Sequence, residues 1–333
     1  PKGVMWRQDD LFCALDASSR RPFPETPGWH EFDTRVDRPG PRHLALAPLM
    51  HATGAFSAMW HLVLAGAVVI NPSSRFDPVE TLDTIERHAV NSTSIVGDAF
   101  ARPLLACLDG EPERWNLASL RVVVSSGAMW SAESKQRLLA HAPRLTLVDN
   151  LGSSEAVGVA LHITRGEAPS ESMPTATFRL GPNTKVLTED GREVAPGSGQ
   201  AGRLALRGRT PLGYYKDEVK TAATFVTYGG IRWSIPGDWA EVDADGTVRL
   251  LGRGSQCINT AGEKVYPEEV EEVLKRHPSV ADAAVVGVPD ERFGEAVTAL
   301  VEADGGIDES ALTAYVRERL AGYKVPKRIL ALP

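Results

Sequence analysis

From residue 43 to residue 148 the sequence alternates short apolar runs with amphipathic ones, and this alternation narrows the fold more than any other feature. Residues 43–49 (HLALAPL), 67–70, 94–96, 121–125 (RVVVS) and 145–148 read as buried strands. Between them, residues 55–64, 77–88 and 99–108 and a segment capped by Ser131 read as helices. Pro78 at a first turn and the stripe Val79, Leu82, Ile85 mark the second of these, while Glu133 falls in the first turn of the last. Strand–helix alternation of this kind calls for a largely parallel sheet covered by helices. Two strand ends lead into loops of small and hydroxyl residues, Ser126-Gly127-Ala128 and Asp149-Asn150-Leu151-Gly152-Ser153-Ser154-Glu155. Both are expected to be β-loop-α connections, placed where open α/β sheets bind ligands. Glycine lets a ligand approach the backbone, hydroxyls donate to phosphate oxygens, and the Glu155 carboxylate suits magnesium.

Before this region, residues 1–15 read as a turn entering an amphipathic helix, and residues 18–41, rich in Pro, Arg and Asp, as a loop. From Thr177 the texture becomes β-rich: 179–187, 202–207 and 239–251 are expected strands, with a short helix over 217–224. The Asp-Gly pair at 245–246 marks a tight hairpin. It would set Asp238 at one strand start and Arg253 just beyond the other strand's end, a carboxylate suited to ribose hydroxyls and a guanidinium suited to phosphate. A surface hairpin with a salt bridge is the alternative. After Arg253 a small α+β module follows: a hairpin-like loop over 257–266, a helix opened by Pro267, strands at 283–288 and 296–301, and a helix capped by Asp308. Glu268, Glu269, Glu271 and Glu272 at the start of the first helix, and Lys275, Arg276 and His277 at its end, complement its dipole.

The fold class is therefore α/β, with helix-covered sheets, a β-rich subdomain and a small α+β domain. The expected division is 1–252, with the β-rich part at about 177–252, and 253–333. The 36 Lys and Arg against 43 Asp and Glu give a net charge of −7, with no basic block, which argues against nucleic acid as a partner. No apolar run reaches the roughly 18 residues of a membrane span, so no integral membrane segment is expected. Cys13, Cys107 and Cys257 are too few and too scattered for a disulfide framework or a zinc knuckle, which fits a cytoplasmic location. The first and last residues read as cut from a longer polypeptide.

Seven stretches in order resemble the adenylate-forming family of acyl-CoA synthetases, luciferases and adenylation domains: PKGV (1–4), PLMH (48–51), SGA (126–128), LGSSE (151–155), GD (237–238), GR (252–253) and INTAGEKVYPEEVE (258–271). The wording from Gly252 onward is most similar to actinobacterial fatty-acyl and steroid-acyl CoA ligases. The resemblance implies ATP-dependent activation of a hydrophobic carboxylic acid as acyl-AMP, followed by transfer to CoA, with ATP, Mg2+ and CoA as cofactor and co-substrates. It implies that Lys2, Ser126, Gly127, Ala128, Asp149, Asn150, Leu151, Gly152, Ser153, Ser154, Asp238 and Arg253 contact the nucleotide. Glu155 would hold magnesium and act with Ser154 and His51 in catalysis. Ser255 would be the hinge of a rotating domain, and Thr260, Ala261, Gly262, Glu263 and Lys264 would line the CoA tunnel.

Leu151 stands where many relatives stack an aromatic ring on adenine, and His51 matches either a gate near the acyl carboxylate or a strand-end histidine. Phe56 and Trp60 either line an acyl pocket or fill the core; Tyr214 carries no catalytic assignment; Cys257 is expected to be a structural thiol. The resemblance places a phosphate loop before Pro1 and a catalytic lysine beyond Pro333, so a polypeptide with these boundaries is expected to adenylate very poorly. A carrier-protein pantetheine in place of CoA, and a non-catalytic nucleotide-binding relative, are the alternative readings. A homodimer is left open.

Overall fold

The computed structural model describes residues 3–17, 22–24, 33, 39–128, 130–166, 177–254, 257–303 and 306–332. Lys2, Ser255 and most of the 18–41 loop lie outside them. Contacts divide the chain into two compact units: 1–185 with 205–236 and 246–248, and 186–204 with 237–245 and 249–333.

Unit 1 opens with β1 (Val4–Met5) and α1 (Gln8–Asp16). The expected alternation then appears as β2 (Arg42–Ala45), α2 (Ala52–Val63), β3 (Ala67–Val69), α3 (Pro78–Arg87), β4 (Ser92–Ile95), α4 (Asp98–Gly110), β5 (Val122–Ser125), α5 (Ala132–His141) and β6 (Thr146–Ser153). The strands align in the order β3-β2-β4-β5-β6, all parallel. Side chains on a strand alternate between faces. Ile95, Val123 and Leu147 enter one core with Leu82 and Ile85 of α3, Leu104, Leu105 and Leu108 of α4, and Leu138 of α5. Each such fully buried side chain contributes about 1.5–3 kcal/mol. The Ser131 cap read from sequence is present, its hydroxyl accepting from Ser134 N, and Asp77, expected as the first helical residue, is the N-cap of α3, its carboxylate accepting from Glu80 N.

One expectation fails here. Residues 149–153 are not a loop entering a helix but the second half of β6, which turns at Ser154-Glu155 into the antiparallel β7 (Ala156–Arg165). Asp149 pairs with His162 and Leu151 with Ala160, so the backbone of this glycine- and hydroxyl-rich stretch is satisfied by a neighbouring strand. β8 (Thr177–Leu180) follows, antiparallel to β7. β9 (Thr184–Leu187) and β10 (Gly202–Arg207) come next in the chain, and unit 1 also holds β11 (Gly213–Tyr214), α6 (Glu218–Thr224), β12 (Phe225–Tyr228) and β13 (Ile231–Ser234). β11 pairs with β1, Val4 facing Tyr214.

In unit 2, β14 (Asp238–Val242) and β15 (Val248–Arg253) are hydrogen-bonded neighbours, and Arg253 is the last residue of its strand rather than the residue after it. β16 (Ile258–Thr260), β17 (Glu263–Val265), β18 (Asp282–Asp290), β19 (Gly294–Glu302) and β20 (Arg328–Ala331) form a second sheet. α7 (Pro267–Lys275) and α8 (Glu309–Arg317) bury Val270, Val273, Leu274, Leu312 and Val316 in a core with Val297, Ala299 and Val301.

Candidate nucleotide and acyl site

At the C-terminal end of β5, Ser126 N donates to Ile95 O over 3.3 Å and Gly97 N to Ser125 Oγ over 3.0 Å. Gly127 has φ of 91°, and a Cβ there would make only ordinary contacts, with Thr53 Oγ1 at 3.7 Å and Val96 Cγ1 at 3.9 Å, so backbone conformation rather than crowding calls for glycine. On the adjacent strand the Asp149 carboxylate is taken by Lys135 Nζ of α5 at 2.6 Å, both side chains buried. Burial pushes the Asp149 carboxyl above its ordinary value, against the pull of the Lys135 ammonium. The nitrogen partner of Asp149 is thus a lysine of the same unit, leaving one carboxylate oxygen for any ligand.

The turn after β6 is held from three elements. Trp6 Nε1 donates to Ser154 O over 2.9 Å, Ser234 Oγ to Glu155 O over 2.7 Å, and Tyr214 Oη to Glu155 Oε1 over 2.5 Å. Glu155 N in turn donates to Ser153 Oγ over 3.2 Å. Tyr214 is itself fixed by the β1–β11 pair and by Tyr214 N donating to Thr221 Oγ1. Tyr214, Ser234 and Trp6 were missed from sequence; they stand 59, 79 and 148 residues from the groups they hold. Among the described residues no cluster of three or more His, Cys, Asp and Glu side chains could hold a metal. A lone carboxylate still fits Mg2+, which keeps several waters and binds phosphate oxygens.

The sheet face opposite the core borders an apolar cavity of about 240 Å3 between α2 and β4–β7. Val122, Val124 and Val148 line it together with Phe56 and Trp60, so both aromatic residues face the cavity. Ser126, Asn150, Gly152 and Ser153 line it at the strand ends. His51 is exposed at the N-cap of α2 and makes no side-chain cap bond.

Behind the cavity His43 and His61 stack, ring centroids 3.9 Å apart, with Ser92 Oγ bridging His43 Nδ1 (2.9 Å) and His61 Nε2 (2.7 Å). His61 Nδ1 lies 2.7 Å from Ser57 O, an acceptor, so Nδ1 carries the proton and Nε2 accepts from Ser92. His43 Nδ1 then donates to Ser92 Oγ. Burial, with His61 alongside, drives the His43 pKa down to about 3, and burial lowers that of His61, so both rings are neutral near pH 7.

In unit 2 the expected hairpin carries Arg253 Nε 3.3 Å from Asp238 Oδ1, and Gly254 N donates to Gly237 O. Arg253 is 56% exposed and Asp238 17%, so the guanidinium remains open to solvent. Gly252 precedes it with φ of 121°, and a Cβ there would lie 2.0 Å from Glu268 Oε2 of α7. Burial raises the Glu268 carboxyl. The hairpin-like loop expected over 257–266 forms as β16–β17, turning through Ala261 and Gly262, both at positive φ. Thr260 is buried; Glu263 and Lys264 are exposed, with Lys264 Nζ 4.8 Å above the Trp239 ring. Cys257 is a free, partly buried thiol, its pKa raised chiefly by burial. No helix of the described residues is long and apolar enough to cross a membrane.

An apolar cavity thus opens on hydroxyl- and glycine-rich strand ends, close in sequence to the anchored Glu155 carboxylate. Residues 1–215 match the AMP-binding enzyme family and residues 269–333 its C-terminal domain, and the chain belongs to this family. It is 43% identical over 344 residues to 3-oxocholest-4-en-26-oate–CoA ligase of Rhodococcus rhodochrous, which spans 99% of this chain and 60% of the relative. It is 40% identical to the medium-chain acyl-CoA ligase Mig of Mycobacterium avium, again over 60% of the relative's length. Among solved structures, the amide bond synthetase McbA of Marinactinospora thermotolerans superposes with a TM-score of 0.81 at 28% identity, covering 100% of this chain and 63% of that one. o-Succinylbenzoate coenzyme A synthetase (MenE) of Bacillus subtilis, in complex with ATP and magnesium ion, gives 0.75 at 26%, with the same coverage. The chain spans 60% of the length of the curated relatives named here.

Proposed function

We propose that the protein is an ATP-dependent acyl-CoA ligase that activates a hydrophobic carboxylic acid as acyl-AMP and passes the acyl group to CoA. The observation that carries this reading is the cavity in unit 1: its apolar walls end at Ser126, Asn150, Gly152 and Ser153, so an acid lying in it would present its carboxylate at the strand ends assigned to the nucleotide. The carboxylate attacks the α-phosphorus, the bond to pyrophosphate breaks, and the resulting mixed anhydride is open to a thiol, whose attack on the carbonyl releases AMP. Glu155, its carboxylate fixed by Tyr214, would hold Mg2+, which when bound offsets phosphate charge. Ser153 and Ser154 would donate to phosphate oxygens, Lys2 would add charge, and Asp149 would offer its remaining oxygen to the adenine amino group. Asp238 would bind the ribose hydroxyls and Arg253 ribose or phosphate. His51 would stand near the acyl carboxylate, and the exposed tip at 260–264 would line the CoA tunnel.

We place the boundary between the large and the mobile domain at 252/253, with Ser255 as hinge, a cytoplasmic location, and ATP, CoA and the acid as the only partners required. A homodimer is not needed by this chemistry. The likeness to an amide bond synthetase favours one second reading, in which an amine takes the place of the thiol. The test is AMP release from ATP with fatty, aromatic and steroid acids, with CoA or an amine as acceptor, by a polypeptide that also carries the phosphate loop and catalytic lysine that the resemblance implies. The expected result is CoA-dependent AMP release that falls by roughly 10²-fold or more in Glu155→Ala. Unchanged pyrophosphate release in that variant would remove the magnesium assignment.

A further inference from the structure

Stability alone does not account for the buried pair of Lys135 and Asp149. Lys135 is the fourth residue of α5, where a cation opposes the helix dipole, and its Nζ lies 5.6 Å from the centre of the Trp130 ring. The two side chains are 5% and 11% exposed. Apolar residues of similar volume commonly match or better such an ion pair in stability, so packing does not call for it.

Register sets where the carboxylate stands. Side chains on β6 alternate between the two faces of the sheet. Leu147 enters the helix-covered core, whereas Val148, Asn150 and Gly152 line the acyl cavity. Asp149 therefore stands on the core side, at the strand end, paired with Ser125 of β5 and His162 of β7. A base bonded to Asp149 and an acid in the cavity would lie on opposite faces, with the strand ends between them. Lys135 Nζ takes Oδ2 at 2.6 Å. Oδ1 has no partner among the described residues, yet it is not one of the unpartnered polar atoms shut off from solvent, so it is open to a ligand. Besides Lys135, the titratable groups acting on Asp149 are His162 across the ladder and Asp98 of α4. Burial and the Lys135 ammonium lower the His162 pKa, so its ring is neutral near pH 7, and Asp98 is held by Ser131 N and Arg102. Burial pushes the Asp149 carboxyl toward its protonated form, which can donate a hydrogen bond; the Lys135 ammonium opposes this.

We propose that Lys135 is a positioning residue that holds Asp149 as an acceptor-only carboxylate with Oδ1 left to the ligand, and that the site thereby selects a 6-aminopurine nucleotide over its 6-oxo counterpart. An ionised carboxylate can only accept: it bonds the amino group of adenine and meets the carbonyl of hypoxanthine acceptor to acceptor. A protonated carboxyl, or an amide with both an oxygen and N–H groups, serves either base. The proposal rests on the ligase reading, which assigns Asp149 to adenine, and adds the residue that gives this contact its selectivity.

The test is equilibrium binding of AMP and IMP to the chain by titration calorimetry, which asks nothing of the catalytic machinery. The wild type is expected to bind AMP about 30-fold more tightly than IMP, the worth of one hydrogen bond to a charged group. That ratio should be flat between about pH 7 and pH 9, where the carboxylate stays ionised. Asp149→Asn should bring it to about threefold or less. Lys135→Met should do the same near neutral pH, with the ratio recovering as pH rises and the unaided carboxyl ionises; Lys135→Arg, which keeps the cation, should retain the preference. If Lys135→Met does not fold, Lys135→Gln, which keeps a donor but not the charge, is read in the same way. Equal affinities for AMP and IMP in the wild type would overturn the proposal and leave the ligase reading standing. So would a Lys135 variant that weakens both nucleotides in the same proportion at every pH, the mark of a merely structural role. Binding of neither nucleotide by the wild type would overturn the assignment of Asp149 to adenine, and this proposal with it.

Discussion

Glu155 in unit 1 and Asp238 in unit 2 are both assigned to nucleotide chemistry, and their units hold them by opposite means. Glu155 sits in a two-residue turn tied down by Trp6, Tyr214 and Ser234, each from a different part of the chain. Asp238 sits on a hairpin strand, and its contact with Arg253 spans 3.3 Å on a largely exposed guanidinium. The first carboxylate is preorganised by long-range packing. The second is placed by local strand pairing and keeps a partner that can turn to a ligand. A group that must meet a metal and phosphate in fixed geometry gains from the first arrangement, because orientation is set before binding. An arginine that reaches for ribose or phosphate is served by the second, because an exposed ion pair gives up little when it opens.

The largest expected effect tests whether unit 1 is as rigidly built around its strand ends as its hydrogen bonds imply. Lys135→Met strips the buried Asp149 carboxylate of its cation, and should lower unfolding stability by about 3–5 kcal/mol in chemical denaturation. A loss below about 1 kcal/mol would show that the pair is more hydrated than its burial indicates. Next comes Tyr214→Phe, which removes only the hydroxyl that holds Glu155. It should cut kcat/KM for acyl-AMP formation by about 10–100-fold and raise the magnesium concentration needed for half-maximal rate. A fall in rate without the metal shift would assign Tyr214 to packing alone.

The paired histidines give a pH test of the same unit. Because burial holds the His43 pKa near 3, below its ordinary 6.5, the folded state takes up no proton there where the unfolded chain does. Stability is therefore complete above about pH 6.5 and declines as pH falls toward 3, with a slope approaching about 1.4 kcal/mol per pH unit per buried ring. Urea unfolding between about pH 7 and pH 5 reads it, and His43→Gln should flatten the slope; identical slopes would place the protonation elsewhere. The smallest effect belongs to unit 2. Arg253→Gln should change stability by less than about 1 kcal/mol, since its pair with Asp238 is exposed. Nucleotide affinity should nonetheless drop about tenfold, the loss of one charge-assisted contact. A stability loss as large as that of Lys135→Met would erase the contrast between the two units.

The same contrast explains what could be read from the sequence. The Asp238–Arg253 hairpin, the β16–β17 turn and α7 with its Pro267 start and acidic first turn are local patterns, and each appears where it was expected. The parallel strands were legible too, because they alternate with amphipathic helices, two of which, α3 and α5, carry side-chain caps. The course of residues 149–153 was not. Gly152 and Ser153 look like turn residues; in the structure Gly152 falls at an irregularity of the ladder and Ser153 pairs with Ala156 of β7. Nor could Lys135 be matched to Asp149, or Tyr214 to Glu155, since nothing in either segment names its partner. Trp60 could be seen as apolar and helical, but the same spacing serves core and cavity alike; only the cavity decides.

One consequence lies in the glycine before Arg253. A side chain at position 252 would be strained at φ of 121° and would meet the Glu268 carboxylate, so the residue there answers in part to a side chain sixteen positions later in the chain. The dipeptide Gly252-Arg253 carries two messages in two letters: the arginine faces solvent and the ligand proposed for it, while the glycine answers to the protein's own interior. A variant at 252 should therefore push the Glu268 carboxylate aside and strain the backbone while the Arg253 guanidinium is still present, and a screen that scores the dipeptide as one functional word would misread it.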